Sequence, residues 1–189
     1  LVELPDRANP FLSTILEGIS RIRSQRGYSM LIASTKQVHD SGERLIDYLD
    51  DARADGMIIL DGGLTPEVVG MLESTPHAKR ILFACEWIEG ANFPSVRCQN
   101  RQGARVAVNH LYELGHRKIA HVTGPEGNVL MHSRKEAFVA QMEKLELELE
   151  PEWVIAGDFS LTAGCLAAQE WIAIDDRPTA VFCASDQLA

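Results

Sequence analysis

The chain has 189 residues, of which 46% are hydrophobic and 24% are charged, a composition typical of a globular protein with one domain or two small lobes. Eighteen Lys and Arg against 27 Asp and Glu give a net charge of −9, which argues against binding of nucleic acid or an anionic membrane by these residues alone. The sequence has no run of 18 apolar residues and no signal peptide, so we expect neither a membrane span nor secretion.

Strand and helix signals alternate through the first half of the chain. Asn9-Pro10 predicts an N-cap and a first helical residue, opening a helix that runs to Arg26, and Thr65-Pro66 repeats this signal for a helix through Leu72. A further helix is predicted from Ser41 or Gly42 to Ala52. Short apolar runs between turn residues predict strands at 1–4, 28–33, 56–60, 80–85 and 93–98.

The same alternation begins again at Asn100. Helices are predicted at 100–114, 133–147 and 161–172, and strands at 118–123, 153–155 and 179–184. Ser133 and Glu136 have the spacing of a capping box, which would place Arg134 and Lys135 in the first turn, where cations are disfavoured. Two cations at that place predict either solvated charges or an electron-rich group nearby.

The tight β-α-β alternation predicts an α/β fold with parallel sheets covered by helices on both faces. We expect two lobes, at 1–98 and 99–189, and we expect the second lobe to be incomplete because the sequence stops soon after a strand. In such open sheets, ligands bind beyond the carboxyl ends of the strands. Arg134, Phe159 and Asp186 each follow a predicted strand, so they are candidate ligand-binding residues.

The cysteines and histidines do not form a metal-binding pattern. Three of the four cysteines lie in apolar sequence surroundings. We therefore expect free thiols in a reduced, cytoplasmic protein rather than a disulfide framework or a zinc site. His116 and His121 are interpreted as structural. The four cysteines are far apart and include no C-x-x-C pair: Cys85, Cys98, Cys165 and Cys183.

Six segments together resemble the effector-binding core of the LacI/GalR transcriptional repressors. They are NPF at 9–11, DGMIIL at 55–60, QNRQGA at 99–104, LGHRKIAHVTGP at 114–125, GDF at 157–159 and RPTAVFCASD at 177–186. The resemblance implies a two-lobe, periplasmic-binding-protein-like (type I) fold that binds a small effector between its lobes and forms a homodimer. It also implies that operator DNA is bound by an N-terminal headpiece, which is absent from this chain.

The loop GPEGNVLMHSR at 124–134, with FACEW at 83–87 and FPSV at 93–96, is most similar to the cytidine-responsive repressors of that family. The resemblance therefore implies a nucleoside effector. A sugar effector is the alternative within the same family.

Four side chains correspond to ligand-contacting positions of the family. The resemblance implies that Arg134 and Asp186 hold ligand hydroxyls, that Phe159 lies against the ligand ring, and that Phe11 contacts ligand from the first lobe. From the residues alone each has another interpretation: Arg134 as a solvated cation, Phe159 and Phe11 as core residues, and Asp186 as the N-cap of a following helix. The chemistry nevertheless suits vicinal hydroxyls, because a guanidinium donates and a carboxylate accepts.

Two positions depart from the family pattern. Gln99 stands where the family usually has Asp, which puts any contact from this position in doubt. Glu86 stands where many members have Asp.

Two other classes of protein remain open. A periplasmic solute-binding protein would share the two-lobe build, but the unpaired cysteines and the LGHRKIAH segment favour a repressor. An enzyme is not expected, because no G-x-G-x-x-G, P-loop or G-x-S-x-G motif is present. Gly62-Gly63 and His132-Ser133 are weak signals, so we predict no catalytic residue, no metal and no cofactor.

Overall fold

The computed structural model describes residues 1–5, 10–34, 38 and 43–189, and it divides into two compact units, Leu1–Cys98 and Gln99–Ala189. Each unit is built around one parallel sheet. Within the described residues, no helix is long and apolar enough to cross a membrane.

The first unit has a five-stranded sheet with the order β2-β1-β3-β4-β5, and every neighbouring pair is parallel. In chain order its elements are β1 (Val2–Leu4), α1 (Pro10–Arg26), β2 (Ile32–Ser34), α2 (Asp47–Asp50), β3 (Met57–Ile59), α3 (Pro66–Ser74), a 3-10 turn (Ala78–Arg80), β4 (Ile81–Ala84) and β5 (Ser95–Val96). The prediction of a parallel α/β fold is confirmed for this half.

Local capping explains where the helices of the first unit begin. Thr65 is the N-cap of α3 and its side chain accepts a hydrogen bond from the Val68 N–H at 3.4 Å, as its sequence context predicts. Pro10 is the first residue of α1. The predicted N-cap Asn9 and the predicted helix start at Ser41 or Gly42 lie outside the described residues.

Several observed elements are shorter than their sequence signals. β2 begins at Ile32, since the chain pairs only where β1 lies alongside it, with Val2 opposite Ile32. α2 covers only Asp47–Asp50, and the chain leaves it through Ala52, whose φ of 55° is left-handed. A left-handed residue ends helical hydrogen bonding, so the predicted helix does not reach Ala52.

The core of the first unit lies on both faces of the sheet. Met57 and Ile59 pack into one hydrophobic cluster, whereas Ile58 and the following Leu60 pack into another, because successive strand residues point to opposite faces. Helices therefore cover both faces, as predicted for a doubly wound sheet. Glu3, in the interior strand β1, is fully buried, which the apolar pattern at 1–4 did not predict.

The second unit has a three-stranded parallel sheet with the order β7-β6-β8. Its elements are α4 (Asn100–Glu113), β6 (Ile119–Thr123), α5 (Val129–Lys144), a 3-10 turn (Pro151–Trp153), β7 (Val154–Ala156), α6 (Leu161–Ile172) and β8 (Ala180–Cys183). α4 and α5 pack on each other, and β6 is buried along its whole length.

The predicted start of α5 is wrong. The N-cap is Asn128, whose side-chain oxygen accepts hydrogen bonds from the N–H groups of Leu130 and Met131 at 3.0 and 3.2 Å. Gly127, at a φ of 86°, turns the chain so that this amide caps the helix before Ser133 is reached.

Ser133 is instead a buried residue inside α5. Glu136, its predicted capping partner, forms an ion pair with Arg101, and its Oε1 lies 3.0 Å from His132 Nε2. Arg134 and Lys135 therefore lie beyond the first turn, where the helix dipole no longer disfavours cations.

Candidate functional site

The three strands of the second sheet end together at one edge. β6 ends at Thr123 and is followed by Gly124, β7 leads into the loop that carries Phe159, and β8 leads into Ala184 and Asp186. Because the strands are parallel, their carboxyl ends lie at the same edge, which is where open α/β sheets bind ligands. Three of the four predicted ligand-binding residues are therefore placed at or beside this edge.

Arg134 reaches this edge from α5. Its Nε donates a hydrogen bond to Asn100 Oδ1 at 2.9 Å, and its Nη1 donates to the carbonyl oxygen of Ala184. Asn100 is the first residue of α4, and Ala184 directly follows β8. The guanidinium is half-buried and joins two elements to α5, so the interpretation of Arg134 as a solvated surface cation is wrong.

Phe159 is held close to Gly124 in an uncommon backbone conformation. Its φ is 66°, in the left-handed region that a bulky residue rarely adopts. A Cβ added at Gly124 would lie 2.8 Å from Phe159 Cε1 and 2.6 Å from Met131 Cγ, so this position has room only for glycine. Strained conformations of this kind, costing roughly 1–3 kcal/mol, tend to occur at ligand clamps and active sites.

The ring of Phe159 is half-buried. Phe159 is therefore neither a fully buried core residue nor a fully exposed aromatic ring. The loop before it is fixed by Asp158, whose carboxylate accepts a hydrogen bond from the Ser160 N–H at 3.0 Å. Hydrogen bonds from Ser160 lower the pKa of Asp158 below its ordinary value.

Asp186 is exposed, in a turn just beyond β8. Its carbonyl oxygen accepts a hydrogen bond from the Ala189 N–H at 3.3 Å. Along the chain, Asp186 follows two residues after Ala184, whose carbonyl oxygen accepts the hydrogen bond from Arg134. The segment that follows β8 thus carries both the contact of Arg134 and the Asp186 carboxylate.

The remaining predicted residue, Phe11, lies in the first unit. It is the second residue of α1 and 52% of it is exposed, so it is not a core residue. Its contact with a ligand stays a prediction.

The carboxyl edge of the first sheet carries a second set of polar groups. Glu86 accepts a hydrogen bond from the Gly62 N–H at 2.8 Å through Oε2, which ties the ends of β3 and β4 together. The residue before it, Cys85, has a φ of 69°. Burial, followed by the proximity of Cys98 and Glu86, raises the pKa of the Cys85 thiol. The Gly62-Gly63 pair is thus engaged by neighbouring carboxylates, with Asp61 accepting from the Gly63 N–H at 2.8 Å.

His121 lies behind the candidate edge, in the core of the second unit. Its ring stacks on Phe182 at 4.8 Å between centroids and is tilted against Phe138 at the same distance. Nδ1 is 2.7 Å from the Phe182 carbonyl oxygen, to which it donates, while buried Nε2 has no hydrogen-bond partner among the described residues. Burial, which outweighs the carbonyl contact, lowers the pKa of His121 from 6.5 to about 4.

Sequence reasoning missed Asn100 and Asn128. Neither residue type signals a buried role, and both act through contacts that depend on the fold. The four cysteines, which all lie in the described part of the chain, are free thiols, but Cys165 is exposed where an apolar, buried context was expected. Within the described ranges no group of three or more His, Cys, Asp or Glu residues could hold a metal ion.

Comparison with known proteins identifies relatives of the whole chain. The sequence profile of the family described as periplasmic binding proteins and sugar binding domain of LacI family matches residues 1–189. The HTH-type transcriptional repressor CytR of Escherichia coli K12 is 32% identical over 189 residues, covering 100% of this chain and 55% of that protein. The HTH-type transcriptional repressor PurR of Vibrio cholerae serotype O1 (strain M66-2) is 27% identical over 182 residues, covering 96% of this chain and 54% of the repressor.

Solved structures share the fold. A putative transcriptional regulator LacI from Bacillus cereus subsp. cytotoxis superimposes with a TM-score of 0.83 at 19% identity, over 99% of this chain and 67% of the other. A LacI family transcriptional regulator from Lactobacillus casei with bound glucose gives 0.82 at 24% identity, over 100% of this chain and 70% of the other. The chain spans about half the length of the curated relatives it matches. The resemblance found in the sequence is confirmed, and the chain belongs to the family of periplasmic binding proteins and sugar-binding domains of the LacI family.

Proposed function

We propose that this chain is the effector-sensing core of a LacI-family transcriptional regulator, and that its effector is a small molecule with adjacent hydroxyl groups. The effector would contact the carboxyl edge of the second unit's sheet. Operator DNA would be bound by a separate domain, since these residues carry a net charge of −9. We further propose that the protein works as a cytoplasmic homodimer and catalyses no reaction, in keeping with relatives that are HTH-type repressors.

One observation carries this proposal. The guanidinium of Arg134 is hydrogen-bonded to the end of β8, two residues before the carboxylate of Asp186. A planar donor fork and an acceptor on the same strand end suit a pair of vicinal hydroxyls, each of which can both accept and donate. Phe159, at the neighbouring strand end, supplies an aromatic face for a ring.

A nucleoside, with cytidine as the first choice, is the effector we propose. The sequence over 124–134 favours it, as does the 32% identity with CytR. In this arrangement Arg134 and Asp186 hold the sugar hydroxyls and Phe159 lies against the base. A free sugar is the second candidate, because a regulator of the same fold has bound glucose.

Calorimetry on the full-length protein tests the assignment. Cytidine, adenosine, ribose and glucose are titrated into wild type and into Arg134→Ala, Asp186→Ala and Phe159→Ala. Losing a hydrogen bond to a charged group costs about 1.5–3 kcal/mol, so the first two variants should bind roughly ten- to a hundredfold more weakly. Phe159→Ala should lose about 1 kcal/mol beyond area burial and should affect nucleosides more than free sugars.

Lys135→Ala is the matched control, because Lys135 is the neighbouring cation on α5 and is exposed. It should bind like wild type. If Arg134→Ala also binds within about twofold of wild type, Arg134 is not a ligand residue. If ribose or glucose binds as well as any nucleoside, the effector is a sugar and the contact between Phe159 and a base is wrong.

A further inference from the structure

We infer that Asn100 is a positioning residue for the effector: it fixes the orientation of the Arg134 guanidinium and thereby the donors offered at the strand ends. The inference deepens the proposed function and rests on it. Asn100 is only 9% exposed, although an asparagine at the start of a helix normally faces solvent. Its Oδ1 accepts from Arg134 Nε at 2.9 Å.

The second hydrogen bond of Arg134 makes the contact with Asn100 directional. Nη1 donates to the Ala184 carbonyl, so the planar guanidinium is held at two atoms by groups on two different elements. Two fixed contacts on a rigid plane set its rotation as well as its position. Loss of the Asn100 contact would remove one of these two constraints on the rotation of the plane.

The anchor itself is rigid. Asn100 is the first residue of α4, whose first turn is closed by a hydrogen bond from the Gly103 N–H to the Gln99 carbonyl at 2.9 Å. Further along the same helix pair, Gln141 Nε2 donates to Asn109 Oδ1 at 2.6 Å. The Asn100 contact is therefore, like that of Asn109, an amide contact between α4 and α5, and it involves the candidate ligand residue.

This pair of contacts supplies a matched control. Asn109→Ala removes a hydrogen bond between the same two helices at a distance from the strand ends, whereas Asn100→Ala removes the one that orients Arg134. Asn100→Asp retains an oxygen acceptor of the same size and adds a charge that the helix N-terminus tolerates. If Asn100 positions Arg134, the Asp variant should preserve what the Ala variant loses.

The test uses the full-length protein and two measurements. Titration with cytidine and ribose should show about five- to fiftyfold weaker binding for Asn100→Ala, but binding close to wild type for Asn100→Asp and Asn109→Ala. In the absence of ligand, reaction of Arg134 with phenylglyoxal, followed by peptide mass spectrometry, should be faster in Asn100→Ala only. A role confined to stability would change Asn109→Ala and Asn100→Ala alike.

Two results would overturn the inference. One is cytidine and ribose affinity within about twofold of wild type in Asn100→Ala, with an unchanged phenylglyoxal rate at Arg134. The other is an equal loss of affinity in Asn109→Ala, which would indicate general loosening of α4 and α5. If the wild-type protein binds none of cytidine, ribose and glucose, the proposed function fails and the positioning role fails with it. If instead wild type and Asn100→Ala bind cytidine equally well, only the positioning role fails.

Discussion

Acidification should destabilise the second unit through His121. In the folded protein the pKa of His121 is lowered to about 4, whereas an unfolded histidine has its ordinary value of 6.5. Between these two values the unfolded state binds a proton that the folded state does not, so stability is lost as the pH falls from about 6.5 to about 4 and is unaffected above that window. At 1.36 kcal/mol for each unit, the loss is about 2 kcal/mol at pH 5 and about 3 kcal/mol at pH 4.

The physical cause is the surroundings of the ring. His121 is fully buried, in contact with the rings of Phe182 and Phe138, and Lys135 and Arg134 add a smaller unfavourable contribution to its protonated form. His121→Phe keeps an aromatic ring of similar size but does not titrate. The variant should lose some stability at pH 7, because the Phe182 carbonyl loses its donor, and should lose no more from this site at pH 5.

Urea unfolding at pH 7, 6 and 5 gives the measurement. Replacing Trp87 by Phe leaves Trp153 and Trp171 as the fluorescent reporters, and both are buried in the second unit. The difference in unfolding free energy between pH 7 and pH 5 should be about 2 kcal/mol smaller in His121→Phe than in the parent. Met142→Leu, at a buried position in the same unit that does not titrate, should keep the parental difference. Parallel curves for His121→Phe and its parent would refute the reasoning.

Three further predictions concern single positions. Gly124→Ala should destabilise the protein by about 1–3 kcal/mol, because a methyl group would overlap the side chains that surround this glycine. Gly103→Ala, in open space on α4, should instead stabilise the protein by about 0.5–1 kcal/mol. Thermal unfolding distinguishes the two outcomes. Gln99 is the N-cap of α4 without a side-chain cap, so Gln99→Asp should add about 0.5–1 kcal/mol, and an unchanged or lower unfolding free energy would contradict this. Met71→Glu, at a residue of α3 that is 44% exposed, should weaken the proposed homodimer in light scattering more than Val106→Glu in the second unit, which is 56% exposed. Equal effects would argue against α3 as the contact surface of the proposed homodimer.

The choice of Met71 follows from where the apolar residues of the first unit's helices lie. A dimer contact through the helices predicted at 42–52 and 66–72 could use only those apolar residues that are exposed. In the structure most apolar residues of these two segments are part of the first unit's own core: Leu45, Ile46, Leu49, Val69 and Leu72. Residue 42 lies outside the described ranges.

The fold could be predicted from the sequence because its signals are local. Short apolar runs between turn residues mark strands, and Ser160, Thr65 and Pro10 stand at helix starts. α6 runs from Leu161 to Ile172 as predicted, since Ser160 accepts a hydrogen bond from the Ala163 N–H at 3.0 Å. Parallel pairing follows from the helices between strands.

Where two local signals compete, the sequence did not decide correctly. Ser133 and Asn128 both have capping side chains, and the left-handed turn at Gly127 brings only Asn128 to the first free N–H groups. The partners of Arg134 could not be predicted for another reason. They are 34 and 50 residues away along the chain, and no periodicity or motif marks such contacts.

The backbone at Phe159 limits which side chains this candidate ligand-binding position can carry. A residue there must occupy the left-handed region at a φ of 66°, which glycine and asparagine enter easily and β-branched residues hardly at all. Libraries at this position should therefore sample Phe, Tyr, His, Asn and Gly rather than Val, Ile or Thr. A small aliphatic pocket for a sugar could not be built here by β-branched substitution, because a β-branched side chain is sterically unfavourable at this backbone conformation.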